Sequence, residues 1–503
     1  MINITILVIS PGSFSKPSII NDMKFIRLLV FFSLILSSGY SQHSFELLIS
    51  NTNDEYPFEV FQTEQGEYFM AMISRVEYTD YFYSKIIRIS PLGVIMGETE
   101  IVNPEGDCIL YNLLRTGENT MVAIGEWKHT GANSEIWYVS LDTSLNILWD
   151  KKYKIDEDWI TFIRSFINSE GNIVSGASIA QLPYIYTSKL VFLELTLSGD
   201  SIYGCYNLTG NSPLFYDIIE FDTTYLAFTH GFLDYPGDDI LTLDQNFNIL
   251  SVDSIPHRLE RCLTAKKRNN TSIYLTGNYY FNSQSDIGIE LLNSEFKQIH
   301  FTYTGEEDLR DYCGADQSMD FYFPDTIFTA GTKNIDPYEP YYSDYHSWYC
   351  LNNFDSALNL RWSKFYGGDA YYVLRYILAT PDGGALLSGT KYDTSNPQNK
   401  LDIYIIKVDS CGLITGMTET KIPSGHQMVL FPNPGTDQCF VDLGGQYLSV
   451  VLTIFDLNGN ICIKQALSQH KNRVITSHLL SGIYFYTITT SDRVIGSGKW
   501  IRQ

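Results

Sequence analysis

The sequence predicts an all-β protein: a β-propeller of seven blades followed by a small Ig-like antiparallel β-sandwich. Three observations carry that expectation. The chain holds 36 Tyr, 29 Phe and 7 Trp, and aromatic and β-branched side chains suit pleated, half-buried surfaces. An apolar pattern recurs roughly every fifty residues between about residues 45 and 420. Past Pro423 that pattern stops and a series of short strand signals begins. At 503 residues the chain is too long for one ordinary domain unless it is a repeat array or a large β-fold.

The amino-terminal stretch reads as a targeting segment. Residues 1–22 are irregular, and Met23-Lys24-Phe25-Ile26-Arg27 then supplies a positive region. Leu28 to Leu36 is apolar and too short to span a bilayer. Ser37 to Ser41 is rich in small residues, so the expected cleavage lies between Ser41 and Gln42. This is the layout of a Sec signal peptide over residues 23–41, with Met23 the expected initiator and residues 1–22 an over-extended start. No other segment is apolar enough to cross a membrane, so the mature chain is expected to be secreted or attached to the surface via the periplasm.

The repeat region, residues 42–422, is defined by two alternating runs. The first ends in a small residue, at Ser74, Gly125, Gly176, Gly231, Gly277, Gly331 and Gly389. Glycine there is expected to permit close backbone approach where an inner strand ends. The second run reads like Ile136-Trp-Tyr-Val-Ser-Leu-Asp142 and Ile403-Tyr-Ile-Ile-Lys-Val-Asp409. A turn and a further strand follow, as in Asp142…Trp149, Asp355…Trp362 and Asp244…Leu250. Asp and Asn belong there because they bond their own backbone. Units of three or four short strands bury their faces by stacking in a ring. Seven occurrences predict seven blades; the unequal spacing leaves six or eight open.

These runs resemble the propeller-like repeats of exported proteins in gliding and oral Bacteroidetes. The best matches are Asp382-Gly-Gly-Ala385, Asp402 to Asp409 and Trp362-Ser-Lys-Phe-Tyr-Gly-Gly368.

The last segment, residues 423–503, carries about seven short strands, with a hairpin signal at Leu457-Asn458-Gly459-Asn460. It resembles the type A C-terminal sorting domain of the type IX secretion system. The residues that carry the resemblance are Phe431-Pro432-Asn433-Pro434, Ile454-Phe455-Asp456 with Gly459, Leu479-Leu480-Ser481-Gly482-Ile483-Tyr484 and Lys499-Trp500-Ile501. Trp500 departs from the usual aliphatic. The resemblance implies export across the outer membrane and partnership with the type IX secretion machinery. It also implies removal of the domain by a sortase-like peptidase, with release or attachment to surface lipopolysaccharide. Pro432 and Pro434 cannot donate to a sheet ladder and stiffen the start of this domain.

The remaining chemistry is sparse. The balance of 34 basic and 57 acidic residues, a net charge of −23, argues against nucleic acid as a partner. The one short basic run, Lys266-Lys267-Arg268, reads as a solvated turn. No GxSxG, HExxH, P-loop or dinucleotide motif occurs in a usable context. The eight Cys and nine His show no zinc spacing, so no metal and no cofactor are expected. Cys439 and Cys462 fall in neighbouring expected strands and could pair, or could both be small buried hydrophobes. Two acidic stretches, Asp234 to Asp239 and Glu306 to Asp311, have the composition of a calcium site but the spacing of solvated loops. The loop Asp336 to Trp348 offers Tyr338, Tyr341, Tyr345 and Trp348 as a ligand platform, or as rings packed on the blade below.

Two functions compete. The first is a non-catalytic surface or secreted module that binds protein or glycan. The second is a secreted hydrolase or lyase with its site in the propeller funnel. Three or more carboxylates or His at one mouth would favour the enzyme.

Overall fold

The computed structural model describes residues 43–76, 81–129, 134–154, 159–181, 184–209, 213–233, 237–255, 259–281, 284–306, 309–339, 341–395, 400–414, 430–443, 450–456, 461–467, 471–490 and 494–502. The expected cleavage at Ser41–Gln42, the hairpin 457–460 and the domain junction at 422/423 lie outside the described residues. Two compact units separate, Met1–Gly416 and Met417–Gln503. Strands and turns make up the described residues, with no helix among them.

Among the described residues the first unit contains seven antiparallel sheets arranged as consecutive blades. Blade 1 spans residues 54–101, blade 2 108–154, blade 3 159–209 and blade 4 214–254. Blade 5 spans 259–304, blade 6 311–367 and blade 7 371–408. The first strand of each blade packs against its neighbours in turn, and blade 7 packs back onto blade 1. The ring is closed by sequence as well as by packing. Strand Phe45–Ile49 pairs with Leu401–Val408 and supplies the outer strand of blade 7. Seven blades are therefore what the repeat builds.

The two alternating runs are the second and third strands of each blade. Tyr68–Arg75 and Thr120–Lys128, both second strands, are buried along almost their whole length. They contribute to both faces of the sheet, so they read as continuous apolar runs rather than alternating ones. Phe69, Ala71, Met121 and Trp137 share one core between blades 1 and 2. Val122, Tyr138, Ile163 and Ala177 share the next. Each sheet thus buries its faces against its neighbours.

The recurring glycine sits on the second strand, not at the end of the innermost one. A Cβ on Gly125, Gly331 or Gly389 would overlap the carbonyl oxygen of Ile109, Tyr312 or Val373 on the innermost strand beside it. In blades 2 and 7 that strand bulges next to the glycine, and the missing side chain admits it.

The Asp turns are structural, as their chemistry predicts. Asp142 accepts hydrogen bonds from the backbone N–H groups of Ser144 and Asn146 and from the Asn146 amide. Asp244 and Asp355 repeat the arrangement with Asn248 and Asn359. The Asn hydrogen bonds hold all three carboxyls below their ordinary range. The Trp that follows has a separate task. A Cβ on Gly199 or Gly412 would strike the ring of Trp149 or Trp362, and Tyr153 and Tyr366 donate to the carbonyls of the same two glycines. The Trp-x-Lys-x-Tyr spacing therefore seats an outer strand on a glycine turn.

The second unit is a sandwich of a three-stranded sheet, Leu430–Phe431, Gln438–Asp442 and Lys471–Ile475, and a four-stranded one. The latter joins Ile461–Leu467, Val450–Phe455, Gly482–Thr489 and Val494–Arg502. Leu452, Ile454, Val474, Tyr486 and Trp500 lie in a shared core. The aliphatic-to-Trp departure at Trp500 is accommodated by complete burial. Cys439 and Cys462 lie in different sheets, and Cys439 is a free buried thiol whose pKa burial pushes up to about 12. The pairing left open by the sequence is not formed.

Candidate functional site

The innermost strands carry what the repeat pattern left unassigned: charged side chains directed into the central channel. Blade 6 departs from the others here. Its innermost strand is split into Asp311–Cys313 and Met319–Phe323, and the residues between them bond to blade 7. Asp316 and Gln317 both donate their backbone N–H to the Arg375 carbonyl. This places the Asp316 carboxylate, 3% exposed, where two arginines reach it. Arg375 of blade 7 donates its Nε–H at 2.7 Å, and Arg164 of blade 3 lies at 3.5 Å. The trio spans the channel between non-adjacent blades.

A cavity of about 470 Å³ lies beside this trio, lined by the C-terminal halves of the innermost strands. Glu59, Asn112, Asp217, Lys266 and Tyr376 line it together with Arg164 and Asp316. Lys266 is therefore not in a solvated turn. It belongs to strand Leu259–Asn269, and its ammonium lies 3.3 Å from the Asp320 carboxylate. The sequence pattern hid this because the strand Leu259–Asn269 is dense in charged residues and carries no continuous apolar run.

Two of the carboxylates also join blades. Glu59 accepts the Leu113 N–H of blade 2 at 3.0 Å and the Tyr376 hydroxyl of blade 7 at 3.1 Å. Asp217 accepts the Ala265 N–H of blade 5 at 2.8 Å and the Ile218 N–H at 2.9 Å. Burial raises the pKa of both above the ordinary carboxylate range, against the pull of these hydrogen bonds and of Arg164. For Lys266 burial works against the charge, yet Asp320, Asp217 and Glu59 raise its pKa overall.

The count of inward carboxylates meets the criterion set for an enzyme, but their bonding divides them. Asp316 is neutralised by two guanidinium groups. Glu59 and Asp217 tie blades together while facing the cavity. Among the residues lining it there is no His and no Cys. Among the described residues no group of three His, Cys, Asp or Glu is arranged to hold a metal ion.

Where they are described, the acidic stretches are anchored by hydrogen bonds and ion pairs, although Glu306 stays exposed. Asp239 accepts the N–H groups of Phe232 and Leu233, and Asp238 lies 2.6 Å from His230. Asp311 accepts the Asn334 N–H, and Glu306 pairs with Lys333.

The aromatic loop divides. Tyr338 is 87% exposed, and Tyr345 is exposed too. Tyr341 packs edge-on against Tyr56 of blade 1, while Trp348 begins a strand. No ring contact joins the four among the described residues. The residue that fixes this loop, passed over in the sequence, is Tyr342. Its hydroxyl donates to Asp54 at 2.8 Å, and its ring meets Tyr392 edge-on.

In the sandwich unit the motif residues fall into two groups. Asn433 staples the last strand: its Oδ1 accepts the Ile501 N–H at 2.9 Å and its amide donates to the Lys499 carbonyl at 2.7 Å. Pro432 offers its carbonyl to the Trp500 indole at 2.9 Å. Phe431 packs on Phe440, and Tyr484 is buried beside Trp500. Pro434 is exposed beside Gly435, whose N–H donates to the Ile501 carbonyl. Leu480 (81% exposed), Gly482 and Lys499 point outward. Asp456 follows the end of strand Val450–Phe455, and Gly459 lies outside the described residues.

The fold and these contacts define a seven-bladed propeller followed by a self-contained terminal sandwich. Residues 429–502 of the chain match the family model of the secretion system C-terminal sorting domain. The protein is a cargo of type IX secretion, exported via the periplasm to the medium or the cell surface. No curated protein matches it in sequence. Among solved structures it is similar to acylaminoacyl peptidase of Pyrococcus horikoshii, with 10% identity and a TM-score of 0.42. That match covers 77% of this chain, which spans only 58% of the peptidase. An ulvan lyase of family PL25 matches with 8% identity and a TM-score of 0.46, over 72% of this chain and 96% of the lyase. PorZ, a surface component of the type IX system of Porphyromonas gingivalis, matches with 10% identity and a TM-score of 0.36, over 88% of this chain and 70% of PorZ. Similarity this weak carries no argument about site or substrate.

Proposed function

We propose that the mature propeller is a non-catalytic binding module, displayed or released outside the cell, which takes a protein or glycan ligand at the channel cavity. The observation that carries this reading is the Arg164–Asp316–Arg375 trio. It fixes the channel beside a polar cavity whose lining holds no histidine and no cysteine. The sandwich is the address read by the secretion machinery and then removed by a sortase-like peptidase. Its outward motif residues, Leu480, Gly482 and Lys499, have no evident folding task and are the ones we assign to that reading. A Cβ on Gly482 would meet no atom within 4 Å.

One observation favours a second reading, a hydrolase or lyase: burial raises the pKa of Glu59 and Asp217, and perturbed carboxylates in a cavity suit acid–base work. The test is a screen of the purified secreted protein against glycan and peptide arrays, with product analysis of every retained polymer. Saturable retention without bond cleavage is expected. Turnover abolished by Glu59→Gln or Asp217→Asn would replace the binding reading with the enzymatic one.

A further inference from the structure

The cations around the cavity have partners, and two of its anions have no ionic one. Arg164 and Arg375 share Asp316, and Lys266 pairs with Asp320. At the rim Arg115 pairs with Glu64, and the Lys267 ammonium lies over the Phe221 ring. Glu59 and Asp217 receive hydrogen bonds from neutral groups only and form no ion pair among the described residues. Arg164 and Lys266 act on both carboxylates through space without pairing with either. Glu220, the remaining charged group of the lining, accepts the Ser169 hydroxyl and N–H.

Beside Glu59 lies a third acceptor. Asn112 is 3% exposed, lines the same cavity, and its Oδ1 has no hydrogen-bond partner. A buried amide oxygen left without a donor costs free energy that a ligand N–H can recover. Two carboxylates without ionic partners and an amide oxygen without a donor are acceptors only. They call for a ligand rich in donors and positively charged.

We propose that the cavity recognises an organic cation, a primary ammonium or guanidinium group, through Glu59, Asn112 and Asp217. This deepens the binding reading and rests on it. The same chemistry is carried by a Lys or Arg side chain of a polypeptide and by the free amine of an amino sugar, and the experiment separates the two. The secreted protein is titrated calorimetrically with a Gly-Lys-Gly peptide and its Nε-acetyl form, with a Gly-Arg-Gly peptide, with glucosamine oligomers and their N-acetylated forms, and with uronic acid oligomers.

The expected result is binding of one cationic series and its loss, about tenfold or more, on acetylation, since a charge-assisted hydrogen bond is removed. Glu59→Gln and Asp217→Asn each weaken that binding by a similar factor. Lys266→Gln, which removes the facing ammonium, tightens it. Circular dichroism confirms that each variant keeps the wild-type β spectrum. Equal binding of charged and acetylated probes overturns the proposal, as does binding of neither series. Preferential binding of uronic acid oligomers overturns it too, assigning the cavity to Arg164 and Lys266, while leaving the binding reading intact. Bond cleavage in any probe would instead strike at the binding reading itself.

Discussion

Asp316 carries two arginines at once, and that makes it the most exacting side chain in the propeller. Removing one member of a buried ion group leaves the others charged without compensation. Asp316→Ala is expected to lower stability by about 3–5 kcal/mol, read as a shift in the urea midpoint. A second residue-level consequence concerns the seam between blades 5 and 6. Burial pushes Asp286 up to about 6. Burial first, and then Asp286 and Glu306, push Asp311 up to about 6, against the Asn334 N–H and Lys333. An unfolded Asp titrates near ~3.9. The folded state thus holds more protons between pH ~4 and about 6, and stability falls as pH rises through that window. The double variant Asp286→Asn/Asp311→Asn should flatten this slope when thermal midpoints are compared from pH 4 to 7. A slope equal to wild type would refute the assignment.

At the level of strands, the sequence displayed some elements and concealed others for one reason. Second and third strands are buried on both faces, so their apolar runs stand out at a fifty-residue repeat. Innermost strands face a channel on one side. Arg164, Asp217 and Lys266 break their pattern, bulges shift its phase, and blade 6 splits its strand around Asp316. Every residue of the candidate cavity lies in this concealed class, which is why the site was illegible while the blade number was not. Tyr342 was passed over similarly, since nothing in its spacing separates it from Tyr341 or Tyr345. The sandwich was legible almost strand by strand, because its motif residues are consecutive. There the Asn433 staple makes a prediction. Asn433→Ala should destabilise the isolated transition of the sandwich by about 1 kcal/mol. Leu480→Ala, at an exposed position, should change stability by less than about 0.5 kcal/mol and yet reduce secretion. Normal secretion of Leu480→Ala would remove that residue from the recognised surface.

For the whole molecule, two compact units divide the labour of folding and export. Sequence and family match agree that residues 429–502 are the exported protein's address. A chain ending at Pro423 is expected to fold, because blade closure uses only residues 45–408. It should accumulate in the periplasm, scored by fractionation and protease resistance. Its appearance in the medium at wild-type levels would contradict the role of the sandwich.

The fastening strand Phe45–Ile49 has a consequence for how such a chain matures. The Tyr404 hydroxyl reaches Glu46 across 358 residues of sequence. A polypeptide threaded amino end first delivers its clasp long before the receiving edge emerges. Throughout that interval the clasp is a raw sheet margin, open to pairing with another molecule. Translocation and hoop formation are thereby ordered in time, with the last blade to arrive completing the first strand's work.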